Sequence, residues 1–287
     1  MGVKTETGAP VASPPRLGPA LGAEFLGTAL LVLLGDGVVA ADVLLRPAPD
    51  PMTVTTAWGL AVALGVYLSG RLSGGHLNPA VTLALAARGE FPRGRLVPYW
   101  AAQLAGAFVG AWLVYADYAE AFRAFERKEG LIRGAMEGGK LVGRAAGGAG
   151  VFATYPAFDV LGRNLLSEFL ATAVLLVGVR ALTDRRNAAP GGYVEPLALG
   201  ALVWAIGLSL GGLTGYAINP ARDLGPRLAS ALLGWGPAVF RSHGGYFWVP
   251  LVVPLAGGVA GATLYDLVIR GHLPPSATPS PPGELSP

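Results

Sequence analysis

Six apolar runs, each long enough to cross a bilayer as a helix, divide this chain at about residues 19–45, 53–69, 96–116, 164–182, 194–213 and 246–269. A shorter apolar piece follows the second run and another follows the fifth. Each is predicted to enter the membrane as a loop and leave it as a short helix, and non-helical backbone is tolerated at that depth only where protein buries it or it lines a water-filled cavity. Three runs per half is an odd number, so the halves insert with opposite orientation and bring the two loops together near the midplane. The pattern predicts an all-α integral membrane protein, six transmembrane helices plus two re-entrant half-helices in an inverted repeat, with repeats at 19–116 and 164–271.

The polar segments complete the plan. Residues 117–163 form a long connection, charged and glycine-rich, of a length that is uncommon between elements and usually functional or capping. Residues 1–18 and 272–287 are polar, proline-bearing tails predicted to be disordered. The first tail lacks a secretory signal's apolar core, and Glu6 breaks the myristoylation pattern.

One motif occurs twice. Gly74-Gly75-His76-Leu77-Asn78-Pro79-Ala80-Val81-Thr82 returns 141 residues later as Gly215-Tyr216-Ala217-Ile218-Asn219-Pro220-Ala221-Arg222-Asp223. A lone Asn-Pro-Ala reads as an ordinary helix start, with Asn capping free N–H groups and Pro losing nothing at the first helical position. Two copies, each after a membrane-length run, mark the two half-helices. Glu24 precedes Asn78 by 54 residues and Glu168 precedes Asn219 by 51. A carboxylate inside such a run costs from about 2.5 kcal/mol upward and must find donors. A snorkelling role would serve for one glutamate, but a matched pair describes the repeat. Gly106 and Gly110 have the spacing that lets helix backbones approach closely.

Composition narrows the class. The chain has 287 residues, 52% of them hydrophobic and only 14% charged, which fits a polytopic membrane protein. A net charge of +3 would hint at nucleic acid in a soluble chain, but here the arginines flank apolar runs, so nucleic-acid binding is excluded. There is no cysteine, and the three histidines lack a zinc spacing, so no metal or other cofactor is expected. Ten Lys and Arg fall on the side of the termini and eleven opposite, seven of the latter in the long connection. Without that connection and Arg222, ten stand against Arg46, Arg227 and Arg241, which favours cytoplasmic termini.

The chemistry follows from the two helix starts. Each presents roughly half an elementary charge of positive dipole near mid-membrane, and each capping Asn has side-chain N–H groups to point into the path. The unwound residues Gly74, Gly75, His76 and Leu77, with Gly215, Tyr216, Ala217 and Ile218, offer a row of carbonyl acceptors. Arg222 adds fixed donors and a second positive barrier to protons and cations. These parts suit small uncharged polar solutes.

The paired Asn-Pro-Ala repeats, with AEFLGT and SGGHLNPAVT, resemble the major intrinsic proteins, the aquaporin channels, over about residues 20–270. The Asn-Pro-Ala-Arg-Asp ending resembles aquaglyceroporins, in particular the bacterial glycerol uptake facilitators, more than water-only members. The resemblance implies a selectivity constriction on Trp58, Gly207, Tyr216 and Arg222, with Gly207 leaving one wall open for a solute wider than water. A facilitator usually has Phe where Tyr216 stands. Asp223, Tyr118, Arg227, Pro250 and Leu251 match glycerol-type positions, and the long loop ending in FATYP is similar. The family further implies glycerol and water as permeants, Glu24 and Glu168 bracing the loops, a homotetramer in lipid, and a cell (inner or plasma) membrane location.

Other readings stay open at this point. Trp58 would also serve as an interfacial aromatic, His76 as a satisfied buried histidine, Tyr118 as a headgroup anchor. A water-selective channel shares the motifs, and a proton-coupled transporter of small polyols shares inverted repeats and buried carboxylates. An enzyme would have only Ser73 beside His76, with no third group to orient the imidazole.

Overall fold

The computed structural model describes residues 16–274; most of the two expected tails, 1–15 and 275–287, lies outside the described residues. Helix α1 (Leu17–Ala40) runs on through one wider π turn, Ala41–Leu45. Helix α2 (Pro51–Ser73) starts where the Asp50 carboxylate accepts the Thr53 N–H at 3.1 Å, with Pro51 at the first helical position. The chain then unwinds from Gly74 to Asn78 and resumes as the half-helix α3 (Pro79–Ala87). Helix α4 (Leu96–Glu129) leads to a connection holding a two-residue hairpin, β1 (Met136–Glu137) with β2 (Lys140–Leu141). The second half follows as α5 (Leu161–Thr183), α6 (Glu195–Leu210), the half-helix α7 (Pro220–Ser230) and α8 (Trp248–Val268).

Two boundaries depart from expectation. Helix α4 does not stop at 116 but continues to Glu129, ended by Gly130 at φ +66°. Asp117, Glu120, Arg123, Glu126 and Arg127 look like loop by charge, yet Glu, Arg and the intervening alanines are strong helix formers, and Arg123 pairs with Glu120 one turn back. The long connection is therefore shorter than 117–163 at its start. Among the described residues five helices are long and apolar enough to cross a membrane by length and composition, whereas α6 has only 16 residues. At ~1.5 Å per residue it reaches about 24 Å. It stops at Leu210 because the Gly211-Gly212 turn takes the chain into the second unwound loop.

The packing has an exchanged symmetry. Helix α1 packs on α2 and α4, and α5 packs on α6 and α8, while α3 lies against α8 and α7 against α4. Each half-helix thus rests on the last span of the opposite half. The α4–α1 crossing is close enough that a methyl at Gly106 would sit 2.2 Å from the Phe25 carbonyl oxygen. The α8–α5 crossing repeats this, with 2.2 Å between a methyl at Gly261 and the Ala173 carbonyl oxygen. Small residues four positions apart, Gly106 with Gly110 and Gly257 with Gly261, let these backbones touch where lipid offers no hydrophobic gain.

At the end of the bundle near the C-terminus of α3, a charge cluster ties the exchanged pieces together. Arg180 of α5 bonds Glu90 and Asp266, the latter at 2.6 Å, Arg88 reaches Asp266 at 2.6 Å, and Arg270 also meets Glu90. Burial alone would raise the Glu90 carboxyl, but bonds from Arg180 and Arg270 hold it below its usual range. A carboxylate lowered in this way contributes stability above its unfolded pKa, and that contribution is lost as pH falls through the folded value. Thermal scans of the detergent-solubilised protein should therefore show a melting temperature falling with acidification below the ordinary glutamate range. Glu90→Gln should start lower at neutral pH and lose part of that slope; an unchanged slope would remove Glu90 from the account.

Candidate functional site

A cavity of about 350 Å³ runs between the two unwound loops. Its lining takes Gly74, Gly75, His76, Leu77, Ala217 and Ile218 from the unwound loops, and apolar side chains including Leu31, Val62, Val66, Leu175 and Val203. Asn78, Asn219, Trp58, Tyr216 and Arg222 also line it.

The two asparagines cap their helices and also cross-link the loops. Asn78 Oδ1 accepts the Ala80 N–H at 2.8 Å, and Asn219 Oδ1 accepts the Ala221 and Arg222 N–H groups at 3.1 and 3.3 Å. Pro79 and Pro220 occupy the first helical positions. Asn78 Nδ2 then donates to the Ile218 carbonyl at 2.9 Å, and Asn219 Nδ2 donates to the Leu77 carbonyl at 2.8 Å. One N–H of each amide is thus committed to the opposite loop, and the second remains to point into the cavity. The carbonyls of Leu77 and Ile218 each give one lone pair to this cross-link and keep a second.

The loops hold a strained backbone. Leu77 (φ +52°), Tyr216 (+38°) and the β-branched Ile218 (+43°) lie in the left-handed region beside Gly75 and Gly215, each non-glycine at a cost of about 1–3 kcal/mol. Buried carboxylates offset this. Glu24 Oε1 accepts the Ser73 hydroxyl at 2.6 Å and the His76 N–H at 2.9 Å; Oε2 accepts the Leu77 N–H and Gln103 Nε2, both at 2.7 Å. Glu168 accepts the Ala217 and Ile218 N–H groups, both at 3.0 Å. The hydroxyl of Ser73 is thus bonded to Glu24, and His76 Nδ1 lies 3.1 Å from Thr82 Oγ1, so the two residues make no nucleophile and base. The described residues contain no group of three or more His, Asp or Glu placed to hold a metal ion.

Trp58, Tyr216 and Arg222 lie together on the cavity lining. The Arg222 guanidinium lies over the indole of Trp58, 4.1 Å from the ring centroid, so one face of the ring is covered rather than bare. Arg222 Nη1 reaches the Phe152 carbonyl in the long connection at 3.4 Å. Gly207 does not leave an open wall. A methyl there would sit 2.9 Å from Tyr216 Cζ and 2.9 Å from Thr55 Cγ2, and one at Gly211 would sit 2.5 Å from Tyr216 Cδ1. The two glycines seat the Tyr216 ring, and its hydroxyl, although buried, has no hydrogen-bond partner among the described residues.

Asp223 and Arg227 stand behind this constriction rather than in it. The Asp223 carboxylate accepts Thr154 N–H and Oγ1 at 2.8 and 2.7 Å and Arg227 Nε at 2.8 Å. Arg227, 1% exposed, also donates to the carbonyls of Thr154 and Val239. This buried pair fastens the long connection over the opening. Tyr118, Pro250 and Leu251 are not part of the cavity's described lining, and Gly215 turns toward Thr154 instead. Sequence reasoning missed Asp36, Phe152, Thr154 and Gly211, and it gave Ser73 no part in holding the loop. Asp36, an acid within an apolar run, carried a signal that could have been read.

The family described as "MIP: Major intrinsic protein" matches residues 15–265. The chain is 47% identical to a probable glycerol uptake facilitator protein of Thermotoga maritima, over 85% of this chain and 97% of that protein. It is 43% identical to a glycerol uptake facilitator protein of Pseudomonas aeruginosa, over 90% and 91% respectively. Its fold matches the X-ray structure of the aquaglyceroporin from Plasmodium falciparum with a TM-score of 0.79, at 31% identity, covering 89% of this chain and 98% of that one. With its doubled half-helices cross-linked at the centre of one cavity, the chain belongs to the major intrinsic protein family.

Proposed function

We propose that this protein is a passive channel for glycerol and other small uncharged polar solutes, with water as a second permeant. The observation that carries the reading is the mixed lining of the cavity, in which residues of both unwound loops and the two capping asparagines occur together with apolar side chains such as Leu31, Val62, Leu175 and Val203. A polyol carries the same mixture, hydroxyls and carbon. The names of the relatives agree: a probable glycerol uptake facilitator and an aquaglyceroporin.

Within this reading Trp58, Tyr216 and Arg222 form the selectivity constriction, Gly207 and Gly211 set the position of Tyr216, and Glu24 and Glu168 hold the loops. Two converging helix N-termini and Arg222 oppose cations and protons. The protein works as a homotetramer in the lipid of the cell membrane, with both termini cytoplasmic. That orientation rests on the arginine count, and the burial of Arg227 in an ion pair weakens the opposing side further.

Stopped-flow light scattering on proteoliposomes tests the proposal. Glycerol and water should both move down their gradients in either direction, with no ionic current across the same membranes. Concentrative uptake that collapses with the proton gradient would replace a channel by a coupled transporter. Because the chain has no cysteine, mercurials should leave glycerol flux unchanged. Rapid, reversible mercury inhibition would contradict the chemistry assigned to the cavity.

A further inference from the structure

Helix α1 contributes a residue to the constriction that the doubled motif does not announce. Gly35 packs so closely under Trp58 that a methyl on it would lie 2.4 Å from indole Cη2. The next residue, Asp36, is 0% exposed, and neither of its carboxylate oxygens has a hydrogen-bond partner among the described residues. The ion-pair partner recorded for it is Arg222, with Nη1 3.9 Å from Oδ1. A buried carboxylate without donors is far costlier than one that is paired and bonded. Arg222 is under-bonded as well, since its recorded side-chain acceptor is the Phe152 carbonyl at 3.4 Å. The neighbouring Asp223 is already committed to Arg227 and Thr154.

A buried carboxyl without donors and a guanidinium with one long hydrogen bond stand less than a side-chain adjustment apart. A charge-assisted bond closes at about 2.7–2.9 Å, so a shift of roughly 1 Å would complete the Arg222–Asp36 pair. Asp36 and the Trp58 ring both stand close to the guanidinium's charge, the carboxyl 3.9 Å from Nη1 and the ring centroid 4.1 Å from Cζ. We propose that Asp36 is a positioning residue that fixes where the Arg222 guanidinium stands against Trp58, and so determines whether a solute with a carbon backbone fits the constriction. The inference rests on the reading of Trp58, Tyr216 and Arg222 as the selectivity constriction. Water, which needs no apolar face, depends on Asp36 far less.

The test compares full-length protein with Asp36→Asn, Arg222→Val and the double variant in proteoliposomes, measuring glycerol and water permeability side by side. Asp36→Asn keeps shape and removes the charge. It should lower the glycerol-to-water ratio by about tenfold or more, the lower end of the scale of one charge-assisted hydrogen bond. Asp36→Glu, which restores the carboxylate, should recover part of that ratio. In the Arg222→Val background, adding Asp36→Asn should change the ratio by less than about twofold, because a residue acting through Arg222 has nothing left to act on. The proposal is overturned by a ratio unchanged in Asp36→Asn, or by an effect equally large with and without Arg222. If Arg222→Val alone leaves the ratio and the exclusion of ions untouched, the constriction itself has been misassigned. Asp36→Ser, smaller and neutral, is measured in the same way should the asparagine variant fold poorly.

Discussion

Gly207→His should cut glycerol permeability by well over tenfold while reducing water permeability much less. Any β-carbon at this position meets the Tyr216 ring at 2.9 Å and the Thr55 methyl at 2.9 Å, so the imidazole cannot be accommodated with Tyr216 in place. Gly211, one turn further on, lies even closer to the same ring, so sliding along the helix gives no relief. The ring must therefore swing into the cavity it lines, toward Arg222 and Trp58. A polyol then loses its alignment with the donors and acceptors, at about 1–3 kcal/mol for each buried polar group left unpaired. Two such losses exceed a factor of ten in rate, each 1.36 kcal/mol being roughly tenfold. Tyr216→Phe is the control: it keeps the ring on its glycine seat and removes a hydroxyl that no protein group engages, so its effect should be small. A glycerol-to-water ratio unchanged in well-folded Gly207→His protein would end the assignment of the constriction to these residues.

A second large effect is expected at Glu24. Its two oxygens face two donors each, Ser73 and His76 on one side, Leu77 and Gln103 on the other. Glu24→Gln preserves the shape but turns one acceptor into a donor, and either orientation of the new amide points N–H at N–H. The Ser73 hydroxyl can rotate, whereas the backbone N–H of His76 cannot. Gln103 Nε2 is also engaged with Thr82 Oγ1 at 3.0 Å, which limits relief on the other side. Each stranded group costs about 1–3 kcal/mol, and the left-handed turn at Leu77 loses what offsets its strain. Thermal unfolding in detergent should drop by many degrees and flux should fall with it. Near-native melting and flux in Glu24→Gln would mean that the carboxylate does not hold the loop.

The parts of this fold that were legible in the sequence are those that recur. Asn-Pro-Ala twice, and Glu24 matched by Glu168, stand out because polar groups inside apolar runs need partners and because each has a double. Asp36 lies in the same run as Glu24 but has no carboxylate counterpart: twelve residues after Glu168 stands Arg180. That arginine takes its partners, Glu90 and Asp266, at the other end of the bundle. The glycine at 207 was visible, but its meaning was not, because whether absent atoms leave a gap or a seat depends on where the Tyr216 ring goes. The length of α4 was hidden for a different reason. Charged residues report solvent, and a helix that outruns the bilayer is as solvated as a loop. The exchange of half-helices between α4 and α8 is a matter of long-range packing, which spacing along the chain does not encode.

The bonds from Asn78 to the Ile218 carbonyl and from Asn219 to the Leu77 carbonyl bear on how the protein is made. While a ribosome has delivered only the first half, Leu77 has no Asn219 to bond and α3 has no α8 to lie against. The first loop must wait, in lipid or in the insertion machinery, with polar backbone exposed and its left-handed turn held from one side by Glu24 alone. Completion of the path is thus delayed until the last span has entered, so a truncated chain yields no half-working pore. The same two asparagines that line the cavity therefore also set when its two halves can close on each other.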